Sequence, residues 1–287
     1  GGEDGGGVVP ATFVAPTRVE CVAPPQGPRM GSVVPVEVSR NGVDFTENAV
    51  QFHYVPDASV SHVHPSSGPT SGGTLVVVHG SEFVNSVQLV CDFGGASSPA
   101  RWVSDSELAC EAPLAAVAGT VAVRVSNNGG VEWSPTNSSF TFHTPKEVSE
   151  VSPTSVLASG GTAGTVTGSG FVYNSDLSCR FGLTAVPALF VDATHVQCSV
   201  PPTLGEGVEE VEVWVSNNGV DFGPSSVTLL LVEAVGVGGV SPSAGRVEGG
   251  TLVVVEGSGF EEGEALACRF GGEDGGGVVP ATFVAPT

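Results

Sequence analysis

The chain has 287 residues with 41 Gly, 21 Pro and a valine-rich hydrophobic content of 40%, enough for two or three domains with cores of their own and many turns. Its 30 Asp and Glu against 9 Lys and Arg give a formal charge of −21, a field that repels phosphate backbones and anionic headgroups and argues against a nucleic-acid partner. No run of 18 apolar residues occurs (the longest candidate, Val227 to Val240, carries Glu233) and no apolar period of 3.6 is long enough for a helix, so the reading is all-β with no direct membrane span in this segment.

Gly1 to Thr17 reads GGEDGGGVVPATFVAPT and recurs letter for letter at Gly271 to Thr287, which predicts one 270-residue period of a tandem array plus a short overlap; an artificially duplicated end is the alternative. Next come Cys21, leading to Pro24, and a turn at Ser39-Arg40-Asn41-Gly42. A unit then opens at Pro65 and runs into GGTLVVVHGSEF, Gly72 to Phe83. The paired glycines suit a turn, the β-branched run a buried strand, and the phenylalanine three residues past the closing glycine can pack back into the core.

Cys91-x-Phe93-Gly94 follows, then Cys110 leading to Pro113, an alternating strand at Val121 to Val125, the turn Ser126-Asn127-Asn128-Gly129, and a closing strand at Phe140-Thr141-Phe142. Asn-Gly predicts a hairpin, because both residues tolerate positive φ. The pattern returns at Pro153, GGTAGTVTGSGF (Gly160 to Phe171), Cys179-x-Phe181-Gly182, Cys198 with Pro201, and Ser216-Asn217-Asn218-Gly219. It opens a third time at Pro242, GGTLVVVEGSGF (Gly249 to Phe260) and Cys268-x-Phe270-Gly271. Equivalent positions are 88 or 89 residues apart.

These repeats set the expected boundaries: whole units at 58–146 and 147–235, the C-terminal half of a unit at 1–57 and the N-terminal half at 236–287. The last would be completed by residues like 1–57 of the next period. With that join the cysteine interval is 23 residues instead of 19, the extra length falling in the GGEDGGG loop. Joints around Pro56 and Pro145 would be short and stiff.

Many short strands with frequent turn signals indicate β-sandwiches. The P-x(6)-GGT-x(5)-G-x-x-F opening, C-x-F-G, the proline after the second cysteine, and the Ser-x-Asn-Gly turn followed by Asp44-Phe45 or Asp221-Phe222 resemble the IPT/TIG domain; the unit at 58–146 departs, with Glu132-Trp133 one residue late. The resemblance covers nearly the whole chain. It implies an immunoglobulin-like sandwich of the kind found in plexin-type receptors, fibrocystin-like surface proteins and some transcription factors, and it fixes fold more than role.

Six cysteines, two per unit at equivalent places, point to disulfides and an oxidising compartment. The expected bonds are Cys91–Cys110 and Cys179–Cys198, each closing a loop of about 20 residues worth roughly 3 kcal/mol in the chain-entropy account. Cys268 is expected to pair with the Cys21 of the following period. Asn137-Ser138-Ser139 is a candidate N-glycosylation site, and Ser134-Pro135 a weaker O-linked one.

Little else carries chemistry. His62 and His64 could share a strand face, yet their equivalents are Glu150 and Ser152, then Gly239 and Ser241, so a metal role is disfavoured. GGEDGGG lacks the Lys-Ser/Thr of a phosphate loop, and Glu273 and Asp274 would repel phosphate. The acidic clusters Glu209-Glu210 and Glu261-Glu262/Glu264 show no calcium-loop spacing. No nucleophile–base–acid set recurs, so neither an enzyme nor a cofactor is expected. Lys146 is the one lysine, too few for an internal lysine–asparagine cross-link in every domain.

The leading expectation is a structural segment of an extracellular filament or surface fibre, its partners being copies of itself and possible filament proteins and glycans. The alternative is the ectodomain of a large cell-surface receptor or adhesin that binds protein or glycan through loops.

Overall fold

The computed structural model describes residues 7–25, 33–48, 50–202, 210–223, 226–260, 266–271 and 277–284. No helix occurs among them. By compactness the chain divides into two units: Gly1–Lys146 with Asn174–Asp176 and Asn217–Asp221, and Glu147–Tyr173 with Leu177–Ser216 and Phe222–Thr287.

The strands run in chain order. The first four are β1 (Ala11–Ala15), β2 (Arg18–Cys21), β3 (Val33–Val36) and β4 (Val50–His53), which among the described residues pair as β1–β2 and β3–β4. Within 58–146 come β5 (Ser59–His64), β6 (Ser67–Pro69), β7 (Leu75–Ser81), β8 (Val90–Phe93), β9 (Ala96–Ser104), β10 (Glu107–Glu111), β11 (Gly119–Ser126) and β12 (Ser138–His143). Within 147–235 the same series is β13 (Glu147–Ser152), β14 (Ser155–Leu157), β15 (Ala163–Ser169), β16 (Ser178–Phe181), β17 (Thr184–Asp192), β18 (His195–Ser199), β19 (Glu210–Ser216) and β20 (Val227–Val232). Last are β21 (Gly236–Ser241) paired with β22 (Val254–Ser258), and β23 (Ala267–Phe270) paired with β24 (Gly277–Pro280).

The two complete domains share one topology, β5-β7-β10-β9-β8-β11-β12-β6 and β13-β15-β18-β17-β16-β19-β20-β14. All ladders are antiparallel except β12–β6 and β20–β14. The nine-residue strand β9 serves two ladders: Ala96 to Pro99 pair with β8, and Ala100 to Trp102 with β10. The domain thus folds about β9 into a two-layer sandwich, a strand switching sheets at the corner.

Alternation along each strand fills the cores. Val76, Val78, Leu108, Val123, Val125 and Phe140 are fully buried in the first, with Phe140 edge-on to Phe93 and Phe142 at 5.5 and 5.0 Å. Val166, Val196, Val213, Val215 and Leu229 do the same in the second. Phe83 and Phe171, the phenylalanines of the opening motif, are buried.

The glycine three residues before each has a steric cause. A Cβ at Gly80 would lie 1.9 Å from the Ser59 carbonyl oxygen and 2.6 Å from Phe83 Cζ. At Gly168 the distances are 2.0 Å to Glu147 O and 2.8 Å to Phe171 Cζ. The crowding coincides with a bulge in the facing strand, between Val60 and His62 or Val148 and Glu150.

The Asn-Gly segments join consecutive antiparallel strands, β3–β4, β11–β12 and β19–β20, as a hairpin requires, but not through a two-residue turn. Strand β11 ends at Ser126 and β12 begins at Ser138, so a long connection intervenes. In each Asn-Gly pair the glycine takes positive φ (Gly42 +76°, Gly129 +76°, Gly219 +74°) and the asparagine does not. The reason is chemical: each asparagine side chain caps the loop by accepting backbone N–H groups, which fixes an Asx turn instead of a mirror-image hairpin turn.

Candidate functional site

Each disulfide spans the corner strand. Cys91 on β8 sits opposite Ser98, and Cys110 on β10 opposite Ala100, so the cysteines flank β9 from its two sides. In a flat sheet two strands apart would be about 9.5 Å. The Cα atoms are 6.4 Å apart because the layers fold toward each other there, and the bond Cys91–Cys110 forms inside the core. Cys179 and Cys198 repeat this around β17 at 6.2 Å. All four are buried. Cys21 and Cys268 are free, Cys21 exposed and Cys268 half-buried.

The acidic residue after each Asn-Gly is tied to its turn. Asn41 donates from Nδ2 to Asp44 Oδ2 at 2.7 Å and accepts from the Val43 and Asp44 N–H groups through Oδ1. Asn128 donates to Glu132 Oε2 at 3.0 Å and accepts from the Glu132 N–H. Asn218 donates to Asp221 Oδ2 at 2.7 Å and accepts from the Val220 and Asp221 N–H groups. These carboxylates hold a loop shape and do not converge on a cation.

The preceding asparagine of the 58–146 domain has a different task. Buried Asn127 donates to the Pro56 and Glu82 carbonyls and accepts the Val84 N–H, fastening the loop after β7.

One three-residue position, missed in the sequence, changes as a set between domains. In the first, Arg124 on β11 faces Asp92 on β8, bonds its buried carboxylate at 2.7 Å and lies 5.2 Å from the Trp133 ring. In the second, the cross-strand pair is Arg180 and Trp214, and the guanidinium lies 4.5 Å from both the Trp214 and Phe222 rings. Arg180 Nε is buried with no hydrogen-bond partner, so the π faces replace an acceptor. Comparing residues at the repeat spacing, two strands at a time, would have revealed the pairing.

The remaining candidates resolve individually. His62 stacks on His79 with ring centroids 4.4 Å apart, and it does so instead of joining His64. No group of three or more metal-ligating side chains exists among the described residues. Glu209, Glu261, Glu262, Glu264, Glu273 and Asp274, and with them nearly all of both GGEDGGG copies, lie outside the described residues. Asn137 is exposed immediately before β12. Burial pulls the His143 imidazole below its ordinary pKa, and burial pulls Lys146 down to about 8, against the opposing Asp221 charge.

A family profile described as the IPT/TIG domain matches residues 58–142, 146–230 and 237–276. The chain belongs to the IPT/TIG domain family. The first two matches coincide with the complete sandwiches, and the shorter third covers β21 to β23. Among known IPT/TIG relatives, Plexin-B2 of Mus musculus is 26% identical over 212 residues, 71% of this chain and 11% of that protein. Fibrocystin-L of Mus musculus is 34% identical over 134 residues, 44% of this chain and 3% of that protein. The chain therefore spans a small fraction of the curated relatives it matches. Among solved structures, the Plexin A4 full extracellular region aligns over 77% of this chain and 19% of that one, at 15% identity and a TM-score of 0.43.

Proposed function

We propose that this chain is a non-enzymatic stretch of the ectodomain of a large cell-surface receptor or adhesin, in which tandem IPT/TIG sandwiches space and present protein- or glycan-binding loops. The observation that carries the reading is the repeated buried disulfide, Cys91–Cys110 and Cys179–Cys198, in two successive domains of this family. Such bonds persist in oxidising compartments. The similarity to Plexin-B2 and Fibrocystin-L supports the same setting. The acidic residues of the recurring motif are occupied in holding turns, which supports a presenting role over a catalytic one. An antibody to residues 58–235 tests it on intact source cells: surface staining without permeabilisation is expected, and staining only after permeabilisation overturns it.

One observation favours a second reading, a filament built from the array. Gly1–Thr17 recurs without a change at Gly271–Thr287, as expected where every period occupies an equivalent environment. Electron microscopy of material shed from the source separates the two: fibres of fixed repeat support the filament, dispersed particles the receptor-type ectodomain.

A further inference from the structure

We propose that residues 236–270 and 18–57 are complementary halves of another IPT/TIG sandwich, which forms when the C-terminal part of one copy of this sequence meets the N-terminal part of a second copy, head to tail. The inference rests on the repeat and not on the cell-surface reading.

The first argument is register. Strands β21 and β22 pair Val240 with Val255 and bulge between Val237 and Gly239, as β13 and β15 pair Val151 with Val166 and bulge between Val148 and Glu150. Strands β3 and β4 pair Val34 with Phe52, as β11 and β12 pair Val121 with Phe140. Each half already holds its own ladders in the domain's register. The ladders that join them, equivalent to β7–β10, β8–β11 and β12–β6, are those that neither half can make by itself.

The second argument comes from the duplicated segment. Its C-terminal copy uses Gly277–Pro280 to pair with β23, setting Cys268 opposite Val279 as Cys179 is opposite Val186. Its N-terminal copy uses Ala11–Ala15 to pair with β2, setting Cys21 opposite Ala11 as Cys198 is opposite Ala188. The four residues of β24 and five of β1 are consecutive in the shared text and together match the nine-residue corner strands β9 and β17. One copy of this segment, making both ladders, restores the corner about which the sandwich folds.

The third argument is side-chain complementarity. Phe52 is 41% exposed where its equivalents Phe140 and Leu229 are at 0%, and Phe270 is 52% exposed where Phe93 and Phe181 are at 3% and 1%. In the joined domain Arg269 takes the place of Asp92 and Arg180, Glu37 that of Arg124 and Trp214, and Phe45 that of Trp133 and Phe222. Arg269 thus meets Glu37 across the strands with Phe45 beside it, the Asp92–Arg124–Trp133 arrangement with the charges exchanged. Exposed Cys21 and half-buried Cys268 fall at the disulfide positions. Their bond forms by exchange with glutathione disulfide: one protein thiolate attacks it and releases glutathione, and the other thiolate then displaces the second glutathione. Two protein thiols are oxidised and one glutathione disulfide becomes two glutathiones.

The test uses the 287-residue chain in a glutathione redox buffer, with non-reducing electrophoresis and peptide mapping. Covalent multimers carrying Cys21–Cys268 links between chains are expected, and Cys268→Ser reduces them to monomer. In a Cys21→Ser/Cys268→Ser background, sedimentation velocity should show association weakened about tenfold or more by Glu37→Arg and restored by adding Arg269→Glu. Alkylatable thiols at both positions, Cys21–Cys21 or Cys268–Cys268 links, a monomer closed by its own Cys21–Cys268 bond, or no rescue by the charge swap each overturn the proposal. These outcomes leave the surface-staining result untouched.

Discussion

Replacing Gly168 by alanine isolates the reason for the glycine in the opening motif. The added methyl would sit 2.0 Å from the Glu147 carbonyl oxygen and 2.8 Å from Phe171 Cζ, where ordinary contact needs more than 3 Å. Neither neighbour yields easily: the carbonyl is main chain in the β13–β15 ladder, and Phe171 is buried in the core. The first residues of β13 must swing out by about 1 Å, loosening the Glu147–Ser169 and Val148–Gly168 pairings. Two backbone hydrogen bonds at about 1 kcal/mol each, with an overpacking strain of about 1–2 kcal/mol, give a loss of about 3–4 kcal/mol. For a domain of this size that lowers the midpoint by about 15 °C or more, read by calorimetry. Gly161→Ala is the control. It has positive φ (+84°) but open space around it, so only backbone strain of about 1–2 kcal/mol applies. A Gly168→Ala loss no larger than that of Gly161→Ala would refute the steric account.

Four further outcomes are expected. Asn127→Ala removes three part-buried hydrogen bonds, those to the Pro56 and Glu82 carbonyls and from the Val84 N–H, and should cost about 2 kcal/mol in urea unfolding. Replacing both Cys91 and Cys110 by alanine opens a loop with a sequence separation of 19 residues and should cost about 3 kcal/mol, the 147–235 domain being unaffected. Lys146 has a folded-state pKa of about 8 against 10.5 in the unfolded chain, so the unfolded state holds more protons between those values. The destabilisation is complete below pH 8 and is relieved as pH rises to 10.5. Stability should therefore climb by roughly 3 kcal/mol across that window, a rise that Lys146→Met abolishes. Secreted from a eukaryotic host, the chain should carry a glycan at exposed Asn137, and Asn137→Gln should remove the corresponding mass in intact-protein spectrometry.

The sandwich class and its repeat were legible because valine alternation, paired glycines and the Gly-x-x-Phe spacing are local, and each is imposed by a strand or a turn on its own. The corner strand was not. Nothing in the composition of Ala96–Ser104 says that its first half serves one ladder and its second half another, since both partner strands are its chain neighbours and the switch between them is set by how the two layers pack. Asn-Gly foretold that the flanking strands pair, but not the turn between them, which the backbone N–H groups accepted by the asparagine side chain decide. The Arg180 environment was hidden too, because an arginine's partner across a sheet lies more than thirty positions along the chain.

The bond across the corner strand also bears on what happens under load. If a sandwich is pulled open from its ends, the stretch between its two cysteines is bypassed by the covalent link and carries no tension. At about 3.4 Å per extended residue, the 19-residue separation withholds some 65 Å of extension per domain. A reducing agent would lengthen each rupture step in a single-molecule pull by about that amount.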